Sequence, residues 1–201
     1  MSQGQKRKRY VTMRLLAAGL RVLGWIGIKI ELLILERESD ASTGLETPSD
    51  AFNYRFLSTS DIDELCQLEP EVARQEIQQM FDDGKLCFGA FDADKLVAKM
   101  WCELNELYHP ISPRVLASDE VYLQLAFVDP DYRGQNLAPS LRIEGYAALR
   151  EIGRNKFYSY SRYFNIAARR FKEKLGARRD RLLIHIRLFN RWSRCIEIPG
   201  K

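Results

Sequence analysis

The segment Val128-Asp-Pro-Asp-Tyr-Arg-Gly-Gln-Asn-Leu-Ala-Pro-Ser-Leu141 holds a complete passage from strand to helix. Ahead of it, Val121–Val128 is an apolar and aromatic run that reads as a strand, and it stops at Asp129-Pro130 because proline cannot donate to a ladder. Arg133-Gly134-Gln135-Asn136 makes a short loop. A helix is expected from Leu137 to Ile152, with Leu141, Gly145, Ala148, Leu149 and Ile152 on its buried stripe. A junction of this kind aims unpaired backbone N–H groups and the positive end of the helix dipole at one place, each dipole contact with an anion being worth about 0.3–1 kcal/mol. A diphosphate suits such a place, although similar helix starts also occur with nothing bound.

Outward from this junction the rest of the domain can be read. Phe52–Leu57 reads as a strand, and Ser58-Thr-Ser-Asp-Ile-Asp-Glu64 supplies cap residues for a helix through Leu68. A second helix follows Pro70, with Ala73, Ile77, Met80 and Phe81 on one face and Gly84 to stop it. Leu86–Phe91 and Leu96–Leu104 flank a hairpin signal at Asp92-Ala-Asp-Lys95. Phe157–Ser161 is a strand, Asn165 to Leu175 a helix ending on Gly176, and Leu182–Phe189 the last strand. The order is strand, two helices, a meander of three strands, helix, strand, helix, strand. That order predicts an α+β, α/β/α sandwich with mixed strand pairing.

The chain divides on composition into 1–37, a basic amphipathic helix and strand; 38–51, a solvated linker; and 52–195, the compact domain. Residues 1–30 carry seven basic side chains and no acid, whereas the other 171 carry 24 basic and 27 acidic groups. The apolar stretch from Tyr10 to about Ile30 is interrupted by Arg14 and Arg21 and weakened by three glycines, so it fails as a membrane span and as a secretory signal. A helix lying on a membrane surface and one docked on the domain fit equally. Cys66, Cys87, Cys102 and Cys195 are far apart with no histidine set beside them, which gives no metal site and favours a reducing, cytoplasmic compartment.

Tyr132-Arg-Gly-Gln-Asn-Leu-Ala138, after Phe127-Val-Asp-Pro130, resembles the acetyl-CoA signature of the GNAT N-acetyltransferase family: Arg or Gln, two variable positions, Gly, one variable, then Gly or Ala. Arg133 and Ala138 match; the central glycine is Asn136, a residue that tolerates a left-handed backbone and whose side chain is expected to cap the helix. Asn165-Ile-Ala-Ala-Arg-Arg-Phe-Lys-Glu-Lys-Leu-Gly176 is similar to the family's second helix, whose asparagine contacts the pantetheine arm. The resemblance covers residues 52–189. It implies a GNAT fold and acetyl-CoA or another acyl-CoA as co-substrate, held by Ala126, Phe127, Val128, Arg133, Gly134, Gln135, Asn136, Leu137, Ala138, Asn165 and Phe171.

It also implies acyl transfer to an amine by direct attack in a ternary complex. A lysine-like amine has a pKa near 10.4, so it needs a base, and the departing thiolate gains from a proton donor. Glu120 and Tyr122 share a strand face where the family places its carboxylate, and Tyr160 on the following strand is a candidate donor. The family's usual tyrosine, seven residues after the asparagine, is Lys172, expected on an exposed helix face. His109 and His185 read as structural. Two other readings stay open: a degenerate GNAT-fold binding or regulatory module, peripheral on the inner face of a membrane through residues 1–30, and an enzyme taking its acyl group from an acyl-carrier protein. Arg and Lys crowd the chain after Arg150, but no nucleic-acid motif accompanies them.

Overall fold

The computed structural model describes residues 19–20, 22–38 and 51–200. Strands β1 (Ile28–Glu38), β2 (Asn53–Leu57), β3 (Leu86–Asp92), β4 (Lys95–Glu103), β7 (Glu120–Val128), β8 (Lys156–Arg162), β9 (Arg178–Leu188) and β10 (Trp192–Pro199) form one mixed sheet in the order β10-β9-β1-β8-β7-β4-β3-β2. β5 (Glu106–Leu107) and β6 (Arg114–Val115) make a small separate ribbon. Every neighbouring pair in the large sheet is antiparallel except β7 and β8.

Helices α1 (Ile62–Leu68) and α2 (Arg74–Asp82) cover one face, burying Ile62, Leu65 and Ile77 against Cys87 and Trp101. Helix α3 (Leu137–Glu151) covers the other, where Leu137, Leu141, Tyr146 and Leu149 meet Phe88, Met100, Leu123 and Phe157. α4 (Ile166–Lys174) lies on the α3 side, because its Lys172 reaches the strand face that also carries Ser159 and Ser161. Gly145 brings α3 down onto the sheet, since any Cβ there would overlap the Met100 side chain. Ile152, expected on the buried stripe, caps the helix and is half exposed; Tyr146 is fully buried in the stripe instead.

Three features differ from the sequence reading. The strand expected at Ile30–Leu35 runs through Glu38 and pairs with β8 and β9, so it is internal to the sheet rather than ahead of it. Glu38, placed in the solvated linker, is buried. A further strand, β10, follows the expected last one; its side chains are exposed at every position but Cys195 and gave little apolar signal, and Phe189 and Asn190 turn the chain through left-handed φ values of 51° and 57°. Of the expected N-terminal helix, Gly19, Leu20 and Val22–Trp25 are helical, while the rest of it and the linker beyond Glu38 lie outside the described residues.

Candidate active site

β7 and β8 pair over only three residues each, Glu120, Val121 and Tyr122 against Lys156, Phe157 and Tyr158. Beyond that point β7 continues along β4 as far as Val128, and β8 along β1 as far as Arg162. The sheet therefore opens as a V in its middle, with two inner edges whose backbone groups have no ladder partner across the gap. Along one edge, Trp101 faces Gln124 but Lys99 faces Phe127, so β7 carries one extra residue. The bulge is marked by Leu125 at φ 47°, and it releases backbone from the ladder beside Ala126.

The loop after β7 continues this edge. Asp129 accepts from the Asp131 N–H at 3.0 Å and pairs with Lys95 at 2.9 Å, which holds the single turn Pro130–Tyr132 against the β3–β4 hairpin. Gly134 and Asn136 take φ values of 83° and 59°, so asparagine does adopt the left-handed backbone that a glycine would. It does not cap the helix with its side chain. In that conformation its carbonyl takes the first-turn bonds instead, accepting from the N–H and the hydroxyl of Ser140, both at 3.1 Å. The first-turn N–H groups of Leu137 and Ala138 have no intrahelical acceptor, and Pro139 has no N–H to satisfy. Arg133 is exposed beside them, its Nε donating to the Val128 carbonyl at 3.2 Å and its guanidinium 5.8 Å from the Phe127 ring. An exposed arginine and open helix-start amides are a donor set that fits a diphosphate. Leu137 contributes backbone only, because its side chain is core.

Asn165 caps α4, its Oδ1 accepting from the Ala168 N–H at 3.1 Å, and Phe171 lies half-buried with the Arg142 guanidinium 6.0 Å from its ring. On the sheet face opposite α3 and α4, Glu120 and Tyr160 line one cavity of about 580 Å³ with Tyr108, His109, Tyr158 and Arg181. Tyr122 is buried beside it, 5.8 Å from the Tyr160 ring. Glu120 accepts from Arg114 at 2.6 Å and from the Ala117 N–H at 3.0 Å; burial alone would raise its pKa, but these partners hold it below the usual carboxylate range. Burial pushes the Tyr122 phenol up to about 12 and raises Tyr160 further. His109 Nδ1 accepts from two backbone N–H groups, of Ile111 and Ser112, which leaves its ring proton on Nε2. A second cavity, of about 310 Å³, opens at the bulge between Leu125, Trp101, Glu69 and Glu76.

A sequence profile of the acetyltransferase (GNAT) family matches residues 53–177. The chain belongs to that family. Solved structures agree on the fold: a GNAT-family protein from Novosphingobium aromaticivorans is 21% identical with a TM-score of 0.55, the match covering 81% of this chain and 66% of that one. A GNAT-family acetyltransferase from Colwellia psychrerythraea is 15% identical with a TM-score of 0.58, covering 87% and 57%. The chain thus spans somewhat less than two thirds of the length of these two proteins. The ribosomal-protein alanine N-acetyltransferase of Escherichia coli is 22% identical with a TM-score of 0.50, covering 62% of this chain and 76% of its own. A comparison with curated proteins finds no match. GNAT acetyltransferases are N-acyltransferases that use acetyl-CoA or another acyl-CoA as co-substrate.

Against the GNAT pattern, Lys172 holds the place of the tyrosine, and its environment is the reverse of the exposed helix face expected. It is buried, 3.0 Å from Glu36 and 3.9 Å from Glu38, and it donates to the Tyr160 carbonyl at 3.0 Å. Glu38 also accepts from the hydroxyls of Tyr146 and Ser159 and lies 3.7 Å from the Arg142 guanidinium. Burial would push the Glu38 carboxyl up, but Arg142, Lys172 and the two hydroxyls hold it low; burial draws the Lys172 ammonium down, against the two carboxylates. Sequence reasoning missed this layer, although Glu36 and Glu38 two apart on an apolar strand already share a face.

Proposed function

We propose that the chain transfers an acetyl or other acyl group from CoA to an amine, both substrates being bound at once. The observation that carries this reading is the coincidence of two features: the opening between β7 and β8, and the Arg133–Ala138 loop with its open helix-start amides at the end of the same edge. Arg133 and the backbone N–H groups around Asn136–Ala138 hold the diphosphate; Asn165 and Phe171 border the pantetheine arm.

Acyl-CoA supplies an activated carbonyl on a thiol leaving group. This chain's residues then place the amine, steady charge and move protons. The backbone beside the bulge at Leu125 and Ala126 donates to the carbonyl oxygen as it becomes negative. Glu120, held ionised by Arg114, is a weak base; it attracts the ammonium form of the acceptor, which gives one proton to water before its freed lone pair attacks the carbonyl carbon and the new C–N bond forms. As the C–S bond breaks, Tyr160 gives its proton to the sulfur and recovers one, through water, from the second proton that the nitrogen sheds on becoming an amide. Lys172 takes no part in that step, since both of its neighbouring carboxylates claim it beneath the sheet.

The acceptor enters through the cavity lined by Glu120 and Tyr160. Matching structures include an aminoglycoside acetyltransferase from a soil metagenomic sample, 16% identical with a TM-score of 0.50 over 63% of this chain and 88% of that one, as well as the alanine N-acetyltransferase. Small amines and peptide N-termini are therefore both in the acceptor set to be screened. Release of free CoA thiol from acetyl-CoA, followed with such a panel of amines, is the test. Amine-dependent release that Tyr160→Phe slows about 10²–10⁴-fold supports the reading. Acetyl-CoA binding with no release for any amine favours the second reading, a GNAT-fold binding module, which the buried Lys172 in the tyrosine's place makes a concrete alternative.

A further inference from the structure

We propose that one corner of the molecule docks on a membrane containing anionic phospholipid. The corner is built where the chain leaves its N-terminal helical turn and enters β1. Trp25 is 90% exposed there, with Val22 and Ile26 exposed beside it. The β9–β10 turn joins the same corner: the Phe189 N–H donates to the Gly27 carbonyl at 2.7 Å, and the Phe189 ring occupies the space where a Gly27 side chain would stand. Phe189 is nevertheless 67% exposed. Strand register adds Trp192, which lies across Leu188 from Ile28. Five large apolar side chains thus stand together in solvent, two of them tryptophans, the residue that settles at the boundary between water and lipid.

Charge completes the argument. Lys29 and Arg187 are cross-strand partners, and Ser193 opposite Arg187 lies in the run Arg191-Trp-Ser-Arg194. Among the described residues none of these cations has a carboxylate within ion-pair distance. The one acid on these strand ends is Glu31, which faces His185 at 3.6 Å. Under the helical turn lies a cavity of about 420 Å³, with Leu20, Ile30 and Phe164 in its walls and three cations, Lys29, Arg162 and Arg187, against the one acid Glu31 around it. The Arg187 Nε is buried there with no hydrogen-bond partner. A lipid phosphate satisfies that group, and the apolar walls take the first carbons of its chain, while Trp25, Ile26 and Phe189 enter the interface. The docking needs neither acyl-CoA nor the acceptor, so it stands or falls apart from the transfer reaction.

The test is co-sedimentation of the full chain with phosphatidylcholine vesicles and with the same vesicles containing phosphatidylglycerol. Partition is expected onto the anionic vesicles only and should fall as salt rises. Arg191→Gln and Arg194→Gln should each reduce it about fivefold. Trp25→Ser should reduce it about tenfold or more while leaving the urea unfolding midpoint in place, since the ring touches solvent on nearly all sides. Three results overturn the proposal. One is equal partition onto both vesicle types, or none. Another is full competition by inorganic phosphate, which would make the site one for a free anion. The last is a dimer in sedimentation that Trp25→Ser dissociates, which would make the corner an interface between copies of this chain.

Discussion

On the β4 side of the opening, α3 rests on Phe88, Ala98, Met100 and Leu123, none of them charged. On the β8 side, α3 and α4 rest on Glu36 and Glu38 of β1, answered by Lys172, Arg142 and the hydroxyls of Tyr146, Ser159 and Ser161. Two sides of one sheet are therefore closed by different physics. The apolar side gains from burial that no charge state alters. The charged side must desolvate two carboxylates and a lysine, and it holds only while every member has its partner. The comparison teaches that Lys172 and the N-terminal strand go together: a lysine in the place of a tyrosine is intelligible once β1 brings Glu36 and Glu38 beneath it.

The sharpest way to break this contrast is to remove the lysine. Lys172→Met should cost about 3–5 kcal/mol in urea unfolding, because buried Glu36 loses its cation and Glu38 is left with Arg142 alone. The triple variant with Glu36→Gln and Glu38→Gln should recover much of that loss, and failure to recover it would mean that the charges are not coupled. Leu141→Ala on the apolar side should cost about 2–5 kcal/mol. What separates the two sides is pH. Glu38 has a folded pKa below its unfolded value, so its contribution is full above the ordinary carboxylate pKa and is lost as pH falls through the lower, folded one. The Leu141→Ala variant should keep the wild-type acid dependence at a lower overall stability, whereas Glu38→Gln should flatten it.

Smaller effects belong at the loop. Asn136→Gly should change stability by only a few tenths of a kcal/mol, since both residues accept φ 59°. Asn136→Val should cost about 1–2 kcal/mol, because a β-branched residue resists that backbone. The same variant should weaken acetyl-CoA binding, while Asn136→Gly should not.

Why the apolar side was legible and the charged side was not follows from the residues. Val121–Val128, the hairpin at Asp92–Lys95 and the α3 stripe announce themselves by period and by turn chemistry, and the structure places them within a residue or two. The loop from Arg133 to Ala138 was read from its likeness to the GNAT signature, which puts Asn136 in a glycine's place; its left-handed backbone followed from that, whereas the side-chain cap expected of it did not form. A buried Glu or Lys has no such signature: locally, Glu36, Glu38 and Lys172 look like any solvated charges, and what buries them is contact between residues more than 100 apart. The bulge at Leu125 was equally silent, because it depends on the register between β4 and β7 rather than on either strand alone. Glu120 and Tyr160 were named from one strand face each, but the cavity they share also needs Arg181 of β9 and His109 of the loop between β5 and β6.

The most direct test of the account is calorimetric titration of acetyl-CoA into the full chain and into its Arg133→Ala variant. The account predicts one site per chain in the wild type, with affinity about tenfold or more weaker in the variant, because one charge-assisted contact to phosphate contributes about 1.5–3 kcal/mol. No heat of binding in the wild type, or an unchanged affinity in Arg133→Ala, would contradict it.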